Sequence, residues 1–393
     1  MARLIDITGK AVSGEWGFDD ETGDGIPVIR TTNFTNDGVV NYNDIVTRKI
    51  IKKNLDEKYL RKGDIIIEKS GGSDKFPVGR VIYFDGEENT YLFNNFTGLL
   101  RVKNQELWYT KYVFYSLFFN YKRGGTRAFE NKTTGLHNLK TDEYVRRYEV
   151  TERSRNEQIL ICEKLDRAYS IIKSRQLELL LLDELIKARF VEMFGDPVKN
   201  PKGWEVVTIG DIVTEVRYGT SKPAVEGGKY PYLRMNNLTA DGHLDLNDLK
   251  YIDIPDDEIE KCVVRKGDVL FNRTNSIELV GKTVVFDLQE DMIIAGYIIR
   301  VRLNKRLLPE ILSQYMNLEA LKDILRSMAK GAVNQANINA QELQSIKVYI
   351  PDMELQKQFI EMKNQVDKSK VAVQKALDET QILFDSLMQK YFG

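Results

Sequence analysis

The chain has 393 residues, 42% of them hydrophobic and 29% charged. This is the composition of a folded protein too long for one ordinary core, so two to three domains are expected. Two cysteines and two histidines exclude a disulfide framework and the usual zinc ligand set, and a reducing, cytoplasmic setting fits; a formal net charge of −1 excludes a global positive field, so contact with nucleic acid must rest on local Lys and Arg clusters.

The opening MARLIDITGK has no apolar signal core, and the richest apolar run, Leu177 to Ile186, is interrupted by Glu178, Asp183 and Glu184. Neither a secretion signal nor a membrane span is expected. Residues 1–150 read as short apolar strands broken by Gly and Asn turns, with some helix. From 151 to 196 the pattern predicts one long helix, with Leu165, Ile172, Leu179, Ile186 and Met193 seven residues apart and Asp196-Pro197 closing it. Residues 197–350 again read as strands and turns. The last segment, 351–393, predicts a second long helix whose seam is Val366, Val373, Leu377, Phe384, Leu387 and Tyr391, with Lys370 and Thr380 as weaker positions.

The two halves repeat each other. IPVIRTTNFTNDG (26–38) aligns with YPYLRMNNLTADG (230–242), so that Arg30, Asn33, Thr35 and Gly38 answer Arg234, Asn237, Thr239 and Gly242 at a spacing of 204. LRKGDIII (60–67) answers VRKGDVLF (264–271) at the same spacing; Val78-Gly79-Arg80 answers Val280-Gly281-Lys282 at 202, and Asn138-Leu139 answers Asn337-Ile338 at 199. In the helices, Glu157-Gln158-Ile159 faces Lys357-Gln358-Phe359 at 200, and LIKARFVEMFG (185–195) faces LFDSLMQKYFG (383–393) at 198. The expected fold is α+β: two similar α/β domains separated by two long antiparallel helices, a coiled-coil spacer with an internal pseudo-twofold. A helix of about 38 residues is about 57 Å long and needs a partner along its length.

Gly281-Lys282-Thr283 has the tail of a phosphate-binding loop, and a nucleotide-dependent enzyme would rest on it. Ser276 stands where the first glycine belongs, and Val284-Val285-Phe286 predicts a strand where that loop needs a helix. The twin segment KFPVGRVIYF has Arg80 in place of the lysine, so both copies place a cation at the mouth of a strand. No Gly-rich S-adenosylmethionine loop and no Asp/Asn-Pro-Pro-aromatic stretch occurs. The acid run Pro255 to Lys261 lacks the nuclease spacing, because Ile259 replaces the acid two before Lys261; it reads as a charged loop.

Two similar domains on a rigid spacer suit a two-part, inverted target such as DNA half-sites about 34 Å apart. The paired Arg-x-x-Asn segments, the Lys-Gly-Asp strand openings at 62–64 and 266–268, the Asn-Ile-type helix starts at 138 and 337, and the joint FVEMFGDPVKNPKGWEVVTIGDI (190–212) resemble the specificity subunits of type I restriction-modification systems, over nearly the whole chain. The resemblance implies a first target recognition domain over 1–150, a spacer helix over 151–196, a second recognition domain over 197–350 and a second spacer helix over 351–393. It further implies a non-catalytic subunit that reads a bipartite, asymmetric double-stranded DNA site and docks two methyltransferase subunits, with any restriction or translocase subunit joining them. This chain then needs no cofactor and no metal, S-adenosylmethionine and ATP being bound by partners. The competing reading is a coiled-coil scaffold that binds proteins and has no DNA specificity.

Base reading in the major groove uses Arg or Lys for guanine, Asn or Gln for adenine and hydroxyls for either, while phosphates take Lys and Arg. The first domain presents these types as Arg30, Thr32, Asn33, Ser70, Ser73, Lys75, Arg80, Lys122, Arg123, Thr126, Arg127, Asn131 and Lys132. The second presents Arg234, Asn236, Asn237, Arg273, Asn275, Ser276, Lys282, Lys330, Asn334, Gln335 and Asn337. Residues common to both copies cannot distinguish two half-sites, so base reading is expected where the copies differ: 70–76 against 272–279, and 121–135 against 328–339. For partner docking the expected residues are Phe190, Met193, Phe194, Phe384, Met388 and Phe392, near the helix ends.

Overall fold

Successive side chains of a strand face opposite ways, so an unbroken apolar run needs a core on each side. Ile65-Ile66-Ile67 is such a run: Ile65 and Ile67 lie in one hydrophobic core and Ile66 in another. The matching Val269-Leu270-Phe271 divides in the same way. A computed structural model of the chain describes residues 1–52, 55–133, 136–332 and 335–393. It falls into two compact units, residues 1–174 with 376–393 and residues 175–375.

In the first unit the strand Ile65–Glu68 lies between Thr97–Leu100 and Val81–Tyr83 in an antiparallel sheet whose fourth strand is Val12–Ser13. A second sheet runs Phe18–Asp19, Val46–Lys49, Ile26–Ile29, Leu92–Phe93, the last pairing being parallel. A third consists of Glu130–Thr133, Leu136–Leu139 and Ser70–Gly72. The second unit repeats all three, except that its second sheet adds Val263–Val264 beyond the parallel strand where the first has Phe18–Asp19 at the opposite edge. Val269–Asn272 sits between Ile298–Leu303 and Thr283–Val285, with Val213–Tyr218 outermost. Tyr230–Leu233 again has one antiparallel and one parallel neighbour, and Gln335–Asn337 joins Thr274–Asn275 to Lys330–Ala332. Each domain is closed by pairing its first strand with its last, Ala2–Arg3 with Glu149–Val150 and Glu205–Thr208 with Lys347–Ile350.

The long helices are Arg155–Phe194 and Met353–Phe392, 40 residues each and therefore about 60 Å long. Gly195, at φ 91°, ends the first in the left-handed conformation that suits glycine after a helix. In the first unit Phe384 lies 6.5 Å from Tyr115 and 6.4 Å from Tyr169, and Phe392 lies 5.1 Å from Tyr112. In the second, Phe359 lies 5.2 Å from Phe190 and 5.5 Å from Phe194. The end of each helix thus packs beside the start of the other, and the pair is antiparallel as expected. Leu165, Ile172, Ile186, Val366, Val373 and Phe384 of the expected seams are buried. Lys370, a weaker position on the heptad pattern, instead pairs its ammonium with Asp183 of the other helix.

Four expectations need correction. Asn138 and Asn337 do not start helices: they lie in the strands Leu136–Leu139 and Gln335–Asn337, and the helices that follow begin at Thr141 and Ala340. Phe190, Phe194, Phe384 and Met388 are at most 7% exposed, because the antiparallel pairing folds the helix ends into the domain cores; they are not docking surface, and Met193 and Phe392 are only partly exposed. The acid run after Pro255 is a helix, Asp256–Cys262, not a loop, with Asp256, Asp257 and Glu258 in its first turn and Lys261 in its last, the charge order that a helix dipole favours. The helices match at 198 throughout, so Gln158 answers Gln356 and not Gln358.

That last match has a physical basis. Gln158, 1% exposed, accepts from the backbone N–H of Tyr109 at 2.8 Å and donates to the carbonyls of Leu107 and Arg153, each at 2.9 Å. Gln356, fully buried, accepts from Leu308 N–H at 2.9 Å and donates to the carbonyls of Arg306 and Pro351 at 3.1 and 2.8 Å. Each glutamine ties the first turn of a long helix to the loop that leads into a helix of its own domain. Leucine at either position leaves three partly or fully buried backbone groups without this partner, so Gln158→Leu or Gln356→Leu should destabilise the chain by roughly 2–4 kcal/mol, measured by denaturant unfolding; a change under about 0.5 kcal/mol would deny the tie its importance.

Candidate nucleic-acid interface

The residues that the two copies share are engaged in holding the fold. Asn33 is 1% exposed; its Oδ1 accepts from Arg30 N–H at 2.8 Å, and its Nδ2 donates to the carbonyls of Asn41 and Asp44. Asn237 repeats this, accepting from Arg234 N–H at 2.9 Å and donating to Asp245. The Arg30 and Arg234 guanidiniums pair with Asp44 and Asp248 at 2.9 and 2.7 Å. Arg80 donates to the carbonyls of Phe34 and Thr31, and Lys282 donates to that of Leu238 at 2.8 Å, the residue matching Phe34 at 204. The lysine of the suspected phosphate loop therefore fastens a turn of its own domain.

Asp64 and Asp268, of the two Lys-Gly-Asp segments, are buried carboxylates bound by Arg101 and Arg302, each at 2.8 Å through Nε. Beside this shared frame the domains part company. Glu68 is buried against Arg80, and desolvation pushes its carboxyl above the usual range despite that partner. Its counterpart Asn272 is neutral and wholly buried.

The segments that differ come together. Ser70–Gly72 and the hairpin made by Glu130–Thr133 and Leu136–Leu139 form the third sheet of the first domain; Thr274–Asn275, Lys330–Ala332 and Gln335–Asn337 form that of the second. In the first domain, Thr32, Ser73, Lys75, Lys122, Arg123, Arg127 and Asn131 are exposed and Ser70 is half-buried. Thr126 is fully buried against Gly79 and faces no solvent. Lys122 and Arg123 lie over the rings of Phe118 and Phe119, and Arg127 reaches the carbonyl of Asp74 at 3.2 Å. In the second domain Asn236 is exposed, and Arg273, Asn275 and Ser276 are half-buried. Asn337 accepts from the Thr274 hydroxyl at 2.8 Å. Asn334 lies outside the described residues, as do the side chains of Lys132, Lys330 and Gln335.

Two positions escaped the sequence reading. Lys69 matches Arg273 at the spacing of 204, and the carbonyls of both accept from the strand beyond, from Leu139 N–H at 2.8 Å and Ile338 N–H at 2.9 Å. Extending the repeat by one residue past Glu68 would have found it. Tyr218 carries the Arg273 guanidinium 4.9 Å from its ring centre; no motif marked it.

The sequence matches the type I restriction modification DNA specificity domain over residues 4–180 and again over 201–380. The chain belongs to that family. It is similar to the EcoKI specificity subunit of Escherichia coli, 25% identical over 401 aligned positions that cover 94% of this chain and 82% of that one. The specificity subunit of the putative type I enzyme MjaX, from Methanocaldococcus jannaschii, is 30% identical over 196 residues, 49% of this chain and 46% of that one, so that match spans about half of each. The S subunit of the type I system from M. genitalium has the same fold, with a TM-score of 0.55 at 16% identity over 100% of this chain and 95% of that one. Each specificity domain of the chain thus joins a shared, internally bonded frame to a small sheet bearing the segments that differ.

Lys322 holds the 281–283 turn from below, donating to the Gly281 carbonyl at 2.6 Å and to Asn317 Oδ1 at 2.9 Å. Burial pushes its ammonium down to about 8 from an ordinary 10.5. The unfolded chain therefore binds more protons between these two values, and stability should rise with pH across that window. Unfolding midpoints on either side of it, compared with Lys322→Met, check this; a variant with the same pH slope as the parent would refute it.

Proposed function

We propose that the chain is the DNA-recognition subunit of a type I modification enzyme, reading a bipartite, asymmetric double-stranded site with one half-site per domain. The observation that carries this reading is the division of labour within each domain: the shared polar residues bond inward, and the segments that differ converge on one small sheet. Base reading then falls to Ser73, Lys75, Lys122, Arg123, Arg127 and Asn131 in the first domain and to Asn275, Ser276, Asn334, Gln335 and their neighbours in the second. Arg30, Asn33, Arg80, Arg234, Asn237 and Lys282 support the loops without touching bases.

Catalysis belongs to partners. Two methyltransferase subunits bring S-adenosylmethionine and methylate adenine, and a restriction subunit, where the system has one, brings ATP; the assembly works in the cytoplasm. Among the described residues no helix is long and apolar enough to cross a membrane. The docking surface is supported by a different set of helix residues from the buried aromatics: Leu177, Leu180 and Leu181 of the first helix and Val371, Ile382 and Leu383 of the second are each more than half exposed, apolar side chains that a partner would cover.

Co-expression with the cognate methyltransferase, followed by single-molecule sequencing of the host genome, should yield an asymmetric two-part motif with a fixed unread spacer. No methylation by an active, bound partner would instead favour a protein-binding scaffold. Leu180→Asp with Leu181→Asp should abolish co-purification of the methyltransferase while leaving the thermal midpoint of the isolated chain within a few degrees, as exposed positions allow; undiminished co-purification would place docking elsewhere.

A further inference from the structure

The first domain has a polar cleft of about 610 Å³, lined by Ala11, Ser13, Lys69, Lys140, Thr141, Asp142, Glu143 and Arg146. It lies at the root of the small sheet, because Lys69 precedes the strand Ser70–Gly72 and Lys140 follows the strand Leu136–Leu139. Three cations face it. Lys69 is held by the Ser13 hydroxyl at 2.7 Å, while Lys140 and Arg146 are exposed. Of the acids that line it, Glu143 is paired with Arg147 at 2.9 Å and Asp142 partly offsets Lys69, which leaves the cations in excess. Nearby Lys58 is paired with Glu15. Burial, with Lys58 adding to it, lowers the Lys69 pKa despite the opposing charge of Asp142.

The second domain closes the same place. Ser13 pairs with Gly98 and Tyr218 with Ile299, matching steps of matching strands. Where Ser13 leaves space, the Tyr218 ring, though 44% exposed, stands across it: its hydroxyl accepts from Ala340 N–H at 2.8 Å, and the Lys69 counterpart Arg273 lies over its face. At the spacing of 199 that matches Leu139 to Ile338, Lys140 and Arg146 answer the uncharged Asn339 and Ser345.

We infer that the first domain's cleft takes a backbone phosphate of the duplex, held by Lys69, Lys140 and Arg146, and that the second domain has no such anchor because Tyr218 stands across it. This rests on the DNA-reading proposal above. Phosphate contacts set register and orientation without reading sequence, so the two half-sites are gripped unequally.

The test uses the complex assembled with its methyltransferase, on a duplex bearing its methylation motif, over a range of salt. Lys140→Gln with Arg146→Gln, both at exposed positions, should lower the salt slope by about 1 and weaken binding roughly tenfold at about 0.1 M salt, equally on duplexes altered in either half-site. Ser13→Tyr, which transplants the plug, should do the same, while Tyr218→Ser should not weaken binding. Unchanged affinity and slope in the first two, with the parent complex binding normally, overturns the inference alone; loss confined to one base pair also overturns it, since that is reading and not anchoring. A parent complex that binds no duplex removes the DNA-reading proposal as well. Inorganic phosphate, titrated without DNA, separates the sources: tight uptake of free phosphate with DNA affinity unchanged in the variants would assign the cleft to a small anion and overturn the DNA anchor.

Discussion

Everything that either recognition domain presents depends on a buried glutamine. Gln158 and Gln356 join the first turn of each long helix to the backbone just before a helix of the attached domain. A side-chain amide has both donor and acceptor groups, and here each is satisfied by main chain, so the joint is directional as well as tight. Apolar packing alone would let the helix slide or turn by a residue. Three polar bonds at each joint permit one arrangement.

Above that joint, the domain separates what must stay from what varies. The polar residues that both copies share, with Asn33 and Asn237 at their centre, bond to backbone carbonyls and amides that would otherwise lack partners. The central strands, apolar on both faces, hold two cores at once. The small third sheet is anchored to each domain by a few inward residues, His137 and Leu139 in the first and Thr274 and Ala336 in the second. The exposed positions around it are free to differ, which is how one frame can serve two different half-sites.

Much of this was legible in the sequence because it was written twice. Repeated glycines, the Lys-Gly-Asp segments and the heptad spacing located the strands and helices, and the segments that differed marked the third sheet. What was not legible required three-dimensional pairing. Phe190, Phe194, Phe384 and Met388 look like an exposed apolar end until an antiparallel partner folds them into the domain cores. The match of Gln158 with Gln358 looked sound in a gapped alignment, and only its hydrogen bonds move the partner to Gln356. Tyr218 carries no motif at all, since standing across a cleft requires a shape and not a residue pattern.

The closing strand pairs have an evolutionary consequence. Residue 2 lies beside residue 150, and residue 205 beside residue 350, so the chain enters and leaves each domain at nearly one point. A segment from another gene needs only matching terminal strands and the glutamine joint to be accepted between the helices, whatever its interior sequence. New combinations of half-sites then arise by recombination, in a single genetic event, with no gradual retuning of a folded surface.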